Sequence, residues 1–221
     1  MRKLLKKIAF PVLNRWYQKK TNKVSYYSKH GIQLKINPGV FHPGIFLSTN
    51  IFIDFLSSRE LANKTFLELG AGSGMISFYA AKHKGIVTAS DINKNALEAL
   101  KENSIANQLP INIVESNLFE NLSPNDFDLI IINPPYYSQN PKNEKEQAFF
   151  CGENFEYFKG LFLQLKQNWT IESGIFMILS EDCNLTTIKQ IAKQSHLNFN
   201  LIHEAKKRGE KNYIFQIKRL K

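Results

Sequence analysis

The chain has only two cysteines in 221 residues, Cys151 and Cys183. Their separation fits neither a disulfide framework nor a zinc-ligand spacing. Two small buried thiols in a reducing cytoplasmic compartment are therefore expected. No run of about 18 apolar residues occurs, so no membrane span is expected. The apolar stretch Ile8–Leu13 is short, contains Pro11 and lacks a small-residue cleavage site, so it does not read as a signal peptide. The histidines show no metal-ligand spacing, and no metal is expected. There is no internal repeat and no low-complexity segment. Acidic residues are missing from the whole first quarter: the first is Asp54, whereas residues 1–53 hold 10 of the 29 Lys and Arg. From residue 54 onward the charges cancel, so the net +10 sits in the N-terminal quarter. That asymmetry points to a polyanionic partner such as RNA or the ribosome, or else to a solvated basic face.

The polar face of residues 2–20 carries Lys3, Lys6, Lys7, Arg15, Lys19 and Lys20 around an apolar stripe from Leu4 to Trp16. It reads as a basic amphipathic helix broken near Pro11. Such a helix lies on RNA, on an anionic membrane surface, or on its own domain. A hairpin is expected over 24–36, turning at His30-Gly31. A turn-rich loop follows, with Phe41 and a surface histidine, His42. Then comes a helix capped by Ser48 or Thr49 and running to about Leu61. From residue 64 strands alternate with helices. Strands are expected at 65–69, 86–91, 111–117, 127–133 and 175–180, and helices at 74–83, 94–106, 154–168 and 184–195. That pattern argues for an α/β fold with a parallel sheet covered on both faces. Two final strand-like runs, 198–205 and 212–219, are joined across Lys206–Lys211, so the last strand should be antiparallel. The expected division is a basic segment over 1–60, comprising helix, hairpin and entry helix, and a catalytic domain over 61–221. Residues 137–147 are polar and read as a mobile loop.

Three stretches carry chemistry. Phe66-Leu67-Glu68-Leu69-Gly70-Ala71-Gly72-Ser73-Gly74 is a strand entering a glycine-rich turn and then a helix. The dinucleotide fingerprint would need a glycine at 75, where Met stands, and no P-loop lysine follows. About 20 residues past the first glycine, a second strand ends on Asp91, which can hold a ribose diol or cap the next helix. Phe127–Ile132 is an apolar strand stopped by Asn133-Pro134-Pro135-Tyr136. Proline cannot donate to a sheet ladder, so Asn133 is left at the carboxyl edge, where ligands bind in open α/β sheets. A carboxamide offers both donors and an acceptor. With the flat ring of Tyr136 it suits a planar –NH2 group; taken alone, the tetrapeptide also reads as a plain strand-ending turn.

Residues 65–180 resemble class I S-adenosylmethionine-dependent methyltransferases, in the N-P-P-Y group that includes the small-domain and HemK-type enzymes. The resemblance implies a Rossmann-like, seven-stranded, mostly parallel sheet whose last strand is antiparallel. It implies S-adenosyl-L-methionine as cofactor, held by Glu68, Gly70, Gly72, Gly74, Asp91 and Asn117. Asn117 stands where the family often has Asp for the adenine amine. Asn133, Pro134, Pro135 and Tyr136 are the implied catalytic set, with carbonyl oxygens accepting the acceptor's N–H hydrogens and Tyr136 stacking on it. Ala148–Phe158 further resembles the A-L-x-G-G-E-x-G-L-x-F-Y segment of release-factor glutamine methyltransferases, with Cys151 and Phe155 replacing two glycines. The expected activity is N-methyl transfer to an exocyclic adenine or guanine amine of rRNA or tRNA, or to a glutamine amide of a translation factor. A non-catalytic RNA-binding protein and a membrane-surface methyltransferase are the alternatives.

Overall fold

A computed structural model describes residues 22–170 and 173–220. The expected basic helix over 2–20 lies outside the described residues. The chain runs β1 (Ser25–Lys29), β2 (Ile32–Ile36), α1 (Ser48–Leu56), β3 (Thr65–Leu69), α2 (Met75–Lys82), β4 (Ile86–Asp91), α3 (Lys94–Asn107), β5 (Asn112–Glu115), β6 (Leu129–Ile132), α4 (Glu144–Gln147), α5 (Glu156–Asn168), β7 (Gly174–Ser180), α6 (Leu185–Gln194), β8 (Leu197–Lys207) and β9 (Glu210–Arg219). Seven strands make one sheet in the order β5-β4-β3-β6-β7-β9-β8. β9 is antiparallel to both of its neighbours, while β5, β4, β3, β6 and β7 are parallel. Among the described residues, no helix is long and apolar enough to cross a membrane.

The sheet separates two cores because successive side chains point to opposite faces. Phe66, Ile131, Phe176, Ile178 and Ile214 enter the first core, with α1, α2, α3 and the β1–β2 hairpin. Leu67, Leu69, Ile130, Ile132, Met177 and Phe215 enter the second, with α5 and α6. Buried Phe158, Leu161, Phe162 and Leu165 on α5 fall at the i, i+3, i+4, i+7 spacing of one helical face.

Several expectations are corrected. α1 ends at Leu56, not near Leu61, and its N-cap is Leu47 with no side-chain cap bond; Ser48 and Thr49 are instead buried in its first turn. His42 is buried, not on the surface. Its Nδ1 accepts from the Gly44 N–H at 3.1 Å, and its ring meets Tyr27 edge-on. The connection expected over Lys206–Lys211 shrinks to Arg208-Gly209, both at positive φ, which matches the twist of a hairpin. Residues 137–147 include the short α4, and the Tyr137 N–H donates to the Phe149 carbonyl at 3.0 Å, so the stretch is not loop throughout.

The hairpin is fastened by side-chain carboxamides rather than by the main sheet. Asn103 Oδ1 accepts from the Lys35 N–H at 2.8 Å, and its Nδ2 donates to the Lys35 carbonyl at 2.9 Å. One helical turn on, Asn107 repeats the pair with Gln33, at 2.8 and 2.7 Å. The spacings agree because i and i+4 share a helix face while alternate strand residues share an edge. Asn103 is buried, so removing its carboxamide strands two backbone groups; Asn107 is near solvent. Asn103→Ala is expected to cost on the order of 3 kcal/mol and Asn107→Ala about 1 kcal/mol in urea unfolding. Equal losses would show that burial does not set the difference.

Candidate functional site

The carboxyl ends of β3, β4 and β6 open on one cavity of about 450 Å3. The strands stop there for local reasons: β3 runs into the glycine turn, β4 into Asp91 and β6 into the two prolines. The wall includes Glu68, Gly70, Gly72, Asp91, Asn117, Asn133 and Pro135. Gly74, the left-handed N-cap of α2, stands behind the wall; a Cβ there would lie 2.3 Å from Leu100 Cδ2. Gly72 has φ +54, and a Cβ on it would meet Phe41 Cβ at 3.3 Å. The turn is thus pressed between strand and loop, with its backbone exposed to the cavity.

Asp91 is not the cap of α3. Asn93 is, accepting from the Asn95 N–H at 2.9 Å. Asp91 Oδ2 instead accepts from the Gly72 N–H at 2.7 Å and its Oδ1 from the Asn93 N–H at 2.9 Å. Each oxygen keeps a lone pair for a ligand hydroxyl. Burial raises the Asp91 pKa, partly offset by these backbone bonds. Glu68 is buried, and its Oε2 accepts from both the Ser77 N–H, at 2.7 Å, and the Ser77 hydroxyl. Desolvation still dominates and pushes Glu68 up to about 8. Asn117 donates through Nδ2 to Glu120 at 2.8 Å, which fixes the amide and leaves Oδ1 as an acceptor.

The Asn133 side chain makes no hydrogen bond to any described residue, although it lines the cavity. Pro134 and Tyr136 are not on the cavity wall. Tyr136 packs against the second core with its ring 4.8 Å from that of Tyr137, and burial raises its hydroxyl pKa well above the usual value. The proposed stacking role of Tyr136 therefore has no support from its position. The sequence reading missed Ile92, Asn93, Ser116 and Leu118, which also line the cavity. The signal available was their place just beyond strand ends.

The segment after Tyr136 forms another side of the cavity through Asn140, Gln147, Cys151 and Gly152. Asn140 Oδ1 accepts from the Glu153 N–H at 2.9 Å, tying the segment to itself. Of the two residues that replace glycines of the resembled pattern, Cys151 is not at positive φ. Burial lifts its thiol to about 11, so it stays protonated. Phe155 keeps the left-handed backbone, at φ +61, as the N-cap of α5.

The residues fit an S-adenosylmethionine-sized molecule: a glycine turn that a side chain would narrow, carboxylates for hydroxyls and positive charge, and an open acceptor at Asn117. Residues 31–154 match the Methyltransferase small domain. A Methanocaldococcus jannaschii protein, provisionally named a protein N5-glutamine methyltransferase, is 34% identical over 184 residues, which is 77% of this chain and 86% of that protein. A release factor glutamine methyltransferase of Fusobacterium nucleatum is 36% identical over 133 residues, which is 58% of this chain but only 36% of that enzyme. Among solved structures, the E. cuniculi Mtq2–Trm112 complex, described as responsible for methylation of the eRF1 termination factor, matches with a TM-score of 0.61 at 19% identity. The match covers 82% of this chain and 99% of that one, and is a likeness of fold.

Two outcomes are expected. Ionised Glu68 favours a cationic ligand, so S-adenosylmethionine affinity should rise with pH up to about 8 and level off above it, with proton release below that pH visible by calorimetry in buffers of different ionisation enthalpy. Glu68→Gln should flatten that dependence. At Phe155, both Gly and Ala lose the ring's packing, but only Gly relieves the left-handed backbone. Phe155→Gly should therefore be about 1 kcal/mol more stable than Phe155→Ala in chemical unfolding; the reverse order would mean that φ carries no strain.

Proposed function

The chain belongs to the methyltransferase small domain family of S-adenosylmethionine-dependent methyltransferases, and on that footing we propose that it methylates the side-chain amide nitrogen of a glutamine in a cytoplasmic translation factor. The carrying observation is the Asn133 carboxamide, which lines the cavity at the end of β6 with no hydrogen bond to any described residue. A carboxamide acceptor presents a planar –NH2 that a second carboxamide can hold, with the Asn133 oxygen taking one of its N–H hydrogens; Pro134, buried and off the cavity wall, is not assigned a contact. S-adenosylmethionine, when bound, supplies a methyl group on a sulfonium. The chain's own contribution is alignment of a weak nitrogen nucleophile, and well-oriented reactants gain several kcal/mol of barrier from that alone (up to ~10). Positive charge grows on nitrogen as its bond to carbon forms. The Asn133 oxygen, fixed at one of the nitrogen's hydrogens, stabilises that charge before a proton passes to water. Glu68, Asp91 and Asn117 are assigned to the cofactor, around the glycine turn. The choice of glutamine over a base rests on the likeness to the M. jannaschii protein, which spans 86% of that chain.

A second reading is supported by charge. With 10 basic and no acidic residues before Asp54, the N-terminal quarter suits RNA phosphates, and the acceptor is then an adenine or guanine amine. The two readings separate by transferring a labelled methyl group into an extract that lacks this protein. Under the glutamine reading, label resists RNase, is released by protease, and appears as methylamine after strong hydrolysis. Label released by RNase replaces that reading with the second. Asn133→Ala should lower transfer about 100- to 1000-fold while cofactor affinity stays within about 2-fold on the same scale of effects. Wild-type turnover by the variant removes Asn133 from the chemistry.

A further inference from the structure

The loop between β2 and α1 reaches the cavity at Phe41, which lines it and whose Cβ faces Gly72. Few backbone bonds hold that loop: Val40 N–H to the Asn37 carbonyl and Ile45 N–H to the His42 carbonyl, both at 3.2 Å. Side chains do the rest. The Phe41 ring is stacked on Phe46 at 4.8 Å with 21° between planes. Phe149, from the segment after Tyr136, meets Phe46 at 5.6 Å and Phe41 at 6.2 Å. Neither Phe46 nor Phe149 lines the cavity. Phe149 is fixed from behind, because its carbonyl accepts from the Tyr137 N–H and its N–H donates to the Glu146 carbonyl. The three rings are therefore the place where the cavity's N-terminal wall meets its acceptor-side wall.

We propose that Phe46 and Phe149 are positioning residues for the cofactor, holding Phe41 down on the glycine turn and tying that wall to the segment that follows Asn133. The proposal rests on S-adenosylmethionine occupying this cavity. The glycine turn brings only the small side chains of Ala71 and Ser73 to the cavity, so a large cover for its ligand comes from the neighbouring loop. Phe41 is that cover, and its angle is set by the ring stacked behind it. Aromatic pairs of this geometry are worth about a 3- to 10-fold change in an equilibrium. A cluster that only fills space would change the melting temperature of the free protein and leave cofactor affinity alone.

The test is calorimetric binding of S-adenosylmethionine to the full chain and to Phe41→Ala, Phe46→Ala, Phe149→Ala, Phe46→Tyr and the Phe41→Ala/Phe46→Ala pair, each with its ligand-free melting curve. Phe46→Ala and Phe149→Ala should each weaken binding about 3- to 10-fold, and Phe46→Tyr should restore it. The double variant should bind no more weakly than Phe41→Ala, because Phe46 acts through Phe41. Wild-type affinity in Phe46→Ala, or losses that multiply in the double variant, overturns the proposal. A wild-type chain that binds no S-adenosylmethionine fails differently: it removes the cofactor reading itself. Should the alanine at 46 unfold the chain, Phe149→Ala and Phe46→Tyr carry the same comparison.

Discussion

The hydrogen bond from the Gly72 N–H to Asp91 holds the site together. It joins the turn after β3 to the end of β4, its neighbour in the sheet, across 19 residues of sequence from Gly72 to Asp91. The Ala71 N–H adds a second tie, to the Ser90 carbonyl at 2.8 Å, but only the Gly72 bond draws a side chain under a turn whose positive φ is cheap for glycine. With it, the turn is fixed from below by Asp91 and from above by Phe41, and the cavity takes its shape between them. Asp91 accordingly does structural work and keeps lone pairs free for a ligand. Glu68 shows the same economy, because the Ser77 bonds fix its carboxylate while burial keeps it protonated near neutral pH.

Both halves of the cavity use irregular segments that borrow order from regular ones. The β2–α1 loop is placed by the asparagine pairs on α3, and the segment after Tyr136 by its own backbone bonds and by Asn140. Neither segment belongs to the seven-stranded sheet. Such placement lets a common scaffold present different walls to different acceptors, which is how function varies on one fold.

The parallel sheet and its antiparallel finish were legible because the signals were strong. Buried apolar runs such as Ile130–Ile132 and Ile175–Leu179 are bounded by glycine or proline, and one face alternates with the other. That Glu68, Gly70, Gly72 and Asp91 meet at one cavity was legible, because a glycine turn and acids at neighbouring strand ends share the sheet's carboxyl edge. The packing of the Tyr136 ring against the second core was not legible, since motif adjacency says nothing about which way a ring turns after two prolines. Asn103 and Asn107 were equally silent. Two asparagines in a helix look like mild helix breakers until a strand edge is placed beside them. His42 and the true start of α1 depended on long-range burial, which local pattern does not report. Phe155 was read as a departure from a glycine, and the backbone had kept the glycine's conformation anyway.

The asparagine pairs also bear on the order in which the chain assembles. Their partners are 68 and 74 residues apart, far beyond the separations that close early in folding. On a ribosome, β2 emerges with its partner β1 but well before the helix that will satisfy its outer edge, and that edge faces water meanwhile. The segment carrying Phe41 follows directly and waits with it. The hairpin is thus fastened only once residues 94–107 have been made, which is still before the stretch from Asn117 to Gly152 that completes the cavity.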